Sequence, residues 1–505
     1  MSRSIFTPAD ETDTQALIKT GFDDLYCDYL LLRIEDARRA RAWLRSQAAA
    51  VTRFNEIGGG KHLDHARQIA LTAGALRKLG LGDDLMAQFA PEFTVGLAAD
   101  PSRSRRLGDV GANDPATWDW GAGHNEPDVV LMVFEGSEAV HAVTADLRTS
   151  AAASGLAHIT TLVSGDMGVK EPFGFRDGVS QPAIDWNCER TPGGPVDMDY
   201  VNLVATGEFL LGYANEYGLY TERPLLDPKE PGATALPIAE DQPALRDLGR
   251  NGSYLVFRQL RQNVNGFWRW IHQEARGNEP EVTDLAQAMV GRHIDGAPFA
   301  ALGQRDILGT RPPKPGDPRN DFVYGNDRPG QVCPIGAHVR RANPRTGDYP
   351  TGRTGLLKKL IALLGLTGTA EDDRIASARF HRLLRRGREY GTALPPAEAA
   401  HASGDGAEAG LHFLCLNGNL ARQFEFVQGA WMASAKFAGM SSEQDPLLGN
   451  RVPFPSAQPT DRFTRPHADG PCRVSKALPQ FITVRGGAYF FLPGIRSLDW
   501  ILADR

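Results

Sequence analysis

SYLVFRQLRQNVNGFWRWIHQEARG, residues 253–277, decides how the fold is read. Its first half is rich in β-branched and aromatic residues, the pattern of a buried strand. From Phe267 onward the apolar positions take helical spacing, so the strand runs directly into a helix. The same order opens the chain. DYLLLRI (28–34) reads as a buried strand and EDARRARAWLRSQAAA (35–50) as a helix. This echo predicts a duplicated αβ unit with a junction near residue 250, giving domains 1–250 and 251–505. Length agrees, since 505 residues exceed the roughly 300 at which a single core stops growing.

Working outward, DHARQIALTAGALRKLG (64–80) reads as a helix stopped by Gly80, and DVVLMVFEG (128–136) as a strand followed by a helix. Residues 281–290 add a helix, HFLCLN (412–417) a strand and ARQFEFVQGAWMASAKF (421–437) a helix. FITVRGGAYFFLPG (481–494) reads as two short strands joined through Gly486-Gly487, and 495–505 as a last helix. The alternation predicts an α/β or α+β architecture with the sheet covered on one face. Two glycine- and proline-rich stretches, 164–247 and 310–349, are surface linkers unless they line a site.

With 42% hydrophobic and 23% charged residues, the chain has no compositional case for disorder or a coiled coil. A net charge of -6 offers no general field for nucleic acid or an anionic membrane. The start, MSRSIFTPADETD, lacks an apolar signal core, and no stretch reaches the 18 or more apolar residues of a spanning helix; a cytoplasmic protein is expected. Cys27, Cys188, Cys333, Cys415 and Cys472 stand singly, with no CxxC pair and no CxxCH for covalent haem attachment. His62 and His65 lack an HExxH frame, and neither a Walker loop nor a GxSxG elbow is present.

Three segments could carry chemistry. GFRDG (174–178) sets Asp177 in a loop with a glycine at each end, where the backbone can approach something large and flat while presenting one carboxylate. CPIGAHVRRANPR (333–345) follows His338 with Arg340, Arg341 and Arg345. Neutral imidazole ligates haem iron well, and guanidinium groups suit carboxylates such as propionates. LLRRGREYG (383–391) supplies Arg385 and Arg386, permanently charged and able to stabilise negative charge on a breaking O–O bond. Taken singly each has an ordinary reading: an Asx turn, a structural histidine, a solvated basic turn.

Together they resemble the dye-decolourising peroxidase family, particularly its longer members. The likeness is carried by LIKTGFDDLYCDYLLLRI, FGFRDGVSQP, GEFLLGYANEYG (207–218), NGSYLVFRQLRQNVNGFW, CPIGAHVRRANPR, the RRGxxYG turn, GLHFLCLN with RQFEFVQGAW, and FITVRGGAYFFLPG, in the expected order over most of the chain. The resemblance implies an α+β fold of two ferredoxin-like domains, each an antiparallel sheet with flanking helices, with non-covalent haem b held mainly by the second. It makes His338 the proximal iron ligand, Asp177 the distal proton shuttle, Arg385 the distal arginine and Arg340 the neighbour of a propionate. Phe413 is a candidate wall of the distal pocket, and Glu425, Glu443 or Asp445 the carboxylate behind His338. The implied reaction reduces hydrogen peroxide and oxidises small aromatic or dye-like donors one electron at a time. No nucleic-acid or membrane partner is expected, and a homo-oligomer is compatible. The rival reading is a haem-binding or haem-delivery protein without turnover. Two departures stand out: Glu389 replaces the family's proline before Tyr390, and a spacer (347–378) containing GLLKKLIALLGL separates the NPR segment from the arginine turn.

Overall fold

The strand Tyr26–Ile34 (β1) shows how the molecule is layered. Leu30, Leu32 and Ile34 enter one apolar core, while Cys27, Tyr29 and Leu31 enter a second on the opposite face. Successive strand residues point to opposite faces, so a near-continuous apolar run marks a strand buried on both sides. The expectation of a sheet covered on one face is therefore corrected. In this computed structural model, which describes residues 5–58, 63–165, 168–191, 202–299, 318–347, 377–451, 459–467 and 470–504, both faces of the central sheet are covered.

The first half continues with helix α1 (Ala37–Ala48), strands β2 (His65–Leu71) and β3 (Val129–Glu135), helix α2 (Val140–Ala153) and strand β4 (Leu156–Val163). In space the strands run β4-β1-β3-β2, all antiparallel. In the second half, strand β5 (Ser253–Gln262) leads into helices α3 (Val264–Glu274) and α4 (Glu279–Val290) and the short helix α5 (His338–Ala342). Then come strand pieces β6 (Leu384–Arg385) and β7 (Arg388–Gly391), strands β8 (Ala409–Asn417) and β9 (Ile482–Leu492), and helix α6 (Ile495–Leu502). Their order is β9-β5-β8 followed by β6 and β7. Both halves thus place their strands fourth, first, third, second, the ferredoxin-like arrangement. The two sheets join edge to edge where Phe491 of β9 pairs with Leu71 of β2. Helices α1, α3, α4 and α6 cover one face; irregular segments carrying Phe22, Phe209, Leu210 and Tyr213 cover the other.

The elements differ from expectation in four places. Residues 64–80 are not one helix. HARQIAL is strand β2, wedged between β3 and β9, and Thr72 caps a separate short helix, Ala73–Lys78, by accepting from Ala75 N at 3.2 Å. Gly80 does adopt positive φ, at 87°. Residues 156–163 form a strand the periodicity did not reveal. Residues 481–494 hold one continuous strand, because Gly486 and Gly487 leave room for Trp120 and Leu97 rather than turning the chain. The helix expected over 421–437 is wound as π-helix over Ala421–Glu425 and Val427–Met432 and stops there.

His412 on β8 contributes a pH-dependent term to this packing. It is 1% exposed, and burial pushes its pKa down to about 4, only partly opposed by the bond of Nε2 to Val163 O at 3.1 Å. Between pH 6.5 and 4 the unfolded chain binds a proton there that the folded chain refuses, so this contribution falls as pH drops. Its full size is about 3 kcal/mol. Denaturant melts should therefore show the stability advantage of the natural protein over His412→Asn shrinking steadily from pH 6.5 to pH 4; a constant difference would contradict this.

Candidate active site

The loop carrying GFRDG is braced before it reaches its aspartate. Glu171 accepts from Phe173 N at 3.0 Å, Phe175 N at 2.9 Å and Gln262 Nε2 of β5 at 2.8 Å. Gly174 and Gly178 both have positive φ, 95° and 77°, conformations glycine adopts without strain. Burial pushes the Glu171 carboxyl up to about 7, against the pull of these donors. The loop then presents Asp177, whose Oδ1 accepts from Gly178 N at 2.7 Å and from Arg385 Nη1 at 2.8 Å.

Arg385 comes from the other half of the chain. It ends β6, and the edge is interrupted at Arg386-Gly387, where a Cβ on Gly387 would collide with the main chain of 412–414. Such interruptions re-aim side chains. Asp177 and Arg385 line a cavity of about 450 Å³ with Phe413, Leu411, Val169 and Glu389. Phe413 and Leu411 share a face of β8, so the candidate distal wall and the acid–guanidinium pair meet in one space. Desolvation works to raise the pKa of Asp177, but the Arg385 charge and the two hydrogen bonds outweigh it and hold the carboxyl below its ordinary value.

His338 is the first residue of α5. Its Nδ1 lies 3.1 and 3.2 Å from the two carboxylate oxygens of Asp445, which is fully buried. Desolvation would lower the imidazole pKa, yet the Asp445 charge and hydrogen bond raise it, and Asp445 is itself held low, against its burial, by His338. A carboxylate only accepts, so Nδ1 carries the proton, and in the neutral ring the lone pair is on Nε2. Of the three carboxylates expected behind His338, Asp445 takes the place. Glu425 instead pairs with Arg103 at 2.7 Å and Tyr489 Oη at 3.0 Å, and Glu443 accepts from the backbone N–H and hydroxyl of Thr464. Asp445 is oriented in turn by Leu447 N and Leu448 N at 2.9 and 2.8 Å.

His338 and the Asp177–Arg385 pair lie close enough that each shifts the other's proton affinity. Burial acts on the proton affinity of His338 and Asp177, yet the side chains of His338, Asp177 and Arg385 keep 28%, 41% and 28% of their surface accessible. Among the described residues no three His, Cys, Asp or Glu side chains converge to chelate a metal. The donor set, one imidazole with a free nitrogen facing an acid and a guanidinium, suits an iron that brings its remaining ligands in a flat macrocycle.

Arg340, two residues after His338 on α5, is held by the 327–333 loop. Its Nη1 donates to Asp327 Oδ2 at 3.1 Å and Cys333 O at 2.7 Å, its Nη2 to Asp327 O at 2.8 Å and Arg328 O at 3.1 Å, and its guanidinium lies over Tyr324. A guanidinium so buried needs acceptors, and the 327–333 loop supplies them. Arg341 is likewise spent on the carbonyls of Gly336, Trp431, Ser434 and Glu443. Glu389 lines the Arg385 cavity, as expected. Residues 348–376 of the spacer and His62 lie outside the described residues.

No family model matches the chain. It is 28% identical over 501 residues to a multifunctional dye peroxidase, DyP2, of an Amycolatopsis species, covering 93% of this chain and 91% of that protein. It is 27% identical over 461 residues to the dye-decolorizing peroxidase msp1 of Mycetinis scorodonius, covering 87% and 76%. Among solved structures, a DyP-type peroxidase of the fungus Auricularia auricula-judae matches with a TM-score of 0.70 at 22% identity over the whole of both chains. One from Anabaena matches with 0.68 at 21% identity over 98% and 95%. At these identities the structural matches establish the fold, α+β and ferredoxin-like in both halves.

Proposed function

We propose that the chain, which is similar to dye-decolourising peroxidases over most of its length, is a haem b peroxidase of that family in which His338 would hold the iron and Asp177 and Arg385 would handle hydrogen peroxide. The observation that carries this is the 2.8 Å contact between Asp177 and Arg385, residues from opposite halves of the chain, with His338 near enough for its charge and that of the pair to act on one another. Haem bound at His338 supplies the redox centre that accepts two electrons from successive donors for each peroxide reduced.

The chain's own residues do the rest. Asp177, whose carboxyl is held below its ordinary value by Arg385, would take a proton from one peroxide oxygen and return it to the other, so that water leaves rather than hydroxide. Arg385 offers fixed positive charge to the departing oxygen without any proton of its own to lose. Asp445 fixes the ring orientation of His338 and strengthens it as a donor. Arg340 on α5, braced by the 327–333 loop, and Phe413 on β8 frame the site and would contact the haem. Small aromatic electron donors enter by the Asp177 cavity, whose volume suits one aromatic ring system. Residues 1–250 and 251–505 serve as the two domains of this reading, and the cytoplasm as its location; among the described residues no helix is long and apolar enough to cross a membrane.

The test is a visible spectrum of protein produced with sufficient haem, followed by one equivalent of peroxide and a simple dye. A Soret band that changes with peroxide, with dye bleaching under turnover, is expected. A haem-delivery protein would show the band but no bleaching; retention alone gives no use to the acid–guanidinium pair. Replacing Asp445 by Ala is expected to weaken haem retention or peroxide activity by about 10–100-fold. Haem titration and initial rates would measure it, and unchanged values would separate Asp445 from the iron site.

A further inference from the structure

Arg385 lies on an edge strand, where one side of the backbone is turned away from the sheet. On the inner side Arg386 N donates to Leu414 O at 2.8 Å, so the alternation of the strand turns the N–H and C=O of Arg385 outward. Both groups meet one side chain. Gln181 Nε2 donates to Arg385 O at 3.1 Å, and Arg385 N donates to Gln181 Oε1 at 3.1 Å. The carboxamide acts as one residue of a missing neighbouring strand.

Gln181 belongs to the loop that presents Asp177, and it is half-buried on the wall of the same cavity. Its own carbonyl is held by Asn202 Nδ2 at 3.1 Å and Asn320 Nδ2 at 2.9 Å, which anchors the clamp at its base. Other ties of the loop, among them Asp177 N to Val169 O at 3.0 Å, Arg176 N to Ile294 O at 2.9 Å and Arg292 Nη2 to Ser180 Oγ at 2.8 Å, shape the loop without touching β6. Among the described residues, the Gln181 amide and the ion pair itself register the loop on that strand. We propose that Gln181 is a positioning residue that sets the placement of Arg385 against Asp177 through the main chain of Arg385. This rests on the functional reading above and deepens it: a side chain that never touches peroxide controls how fast peroxide reacts.

The test uses haem-loaded protein. Gln181→Leu, of similar size but unable to hydrogen-bond, should slow the reaction with hydrogen peroxide by roughly 10- to 100-fold, the usual effect of a misplacement of about 1 Å. Haem content and the Soret position should stay as in the natural protein. Hydrogen exchange at the Arg385 amide should speed up at least about tenfold, while the Arg386 amide, bonded to Leu414, stays protected. Gln181→Glu supplies a second arm and guards against misfolding of the first. Its protonated carboxyl can both donate to Arg385 O and accept from Arg385 N, whereas its carboxylate can only accept. That variant should react nearly normally in acid and slow as pH rises, a dependence the natural amide lacks. Asp177, Glu171, Glu389, Lys170, Arg385 and Arg386 share the cavity in both proteins, so comparison with the natural protein isolates the new group. Natural peroxide rates in both Gln181 variants, with Asp177→Asn and Arg385→Leu slowed, would overturn this inference alone. Natural rates in Asp177→Asn and Arg385→Leu would overturn the functional reading and this inference with it.

Discussion

Asp177→Asn is expected to slow the reaction of the haem-loaded protein with hydrogen peroxide by about 10²- to 10⁴-fold, the span that a positioned general acid–base group contributes. Asparagine keeps the size of the side chain but has no basic oxygen to carry the proton between the peroxide oxygens. Arg385→Leu should cost about 10²- to 10³-fold, as loss of a charge-stabilising donor does. It should also move the acid limb of the rate profile. In the natural protein the Asp177 carboxyl is held below its ordinary value chiefly because Arg385 and Gly178 N overcome its burial. The base is available only when ionised, so the rate falls as pH drops through that pKa. Removing Arg385 leaves desolvation less opposed, and the fall must begin at higher pH. Stopped-flow rates from mildly acid to neutral pH would test both claims; a slowed Arg385→Leu protein with an unmoved acid limb would mean that the guanidinium acts on peroxide alone.

His338→Ala should lose haem outright. The imidazole is the proposed protein ligand of the iron, and its loss must exceed the roughly 10–100-fold that removing a hydrogen-bonding partner of such a ligand costs. Purified with excess haem and passed over a desalting column, this variant should show little Soret absorbance, and free imidazole should restore part of it by filling the vacated volume. Natural haem content in His338→Ala would place the ligand elsewhere and end the proposed arrangement.

How much of this was legible in the sequence depends on range. β1, β5 and β8 could be read because strands buried on both faces are long unbroken apolar runs. β2 could not, because HARQIAL carries Arg67 and Gln68 and continues without a break into ALRKLG. What settles it is burial between β3 and β9, a tertiary fact that periodicity over a few residues does not contain. The glycine pair 486–487 has the composition of a turn, but here glycine answers the bulk of Trp120, which lies far away in sequence. For the site, segments with several charged or glycine residues together gave Asp177, His338 and Arg385. The residues that orient them did not stand out. Asp445 lies 107 positions from His338 and Gln181 204 from Arg385, and neither is distinguished by its neighbours.

Asp177 and Arg385 are 208 positions apart and reach each other only across the fold. A chain still being made therefore owns an acid long before it owns the cation that offsets the burial of that acid. On the proposed reading, an unfinished copy would lack the acid–guanidinium arrangement on which peroxide cleavage depends.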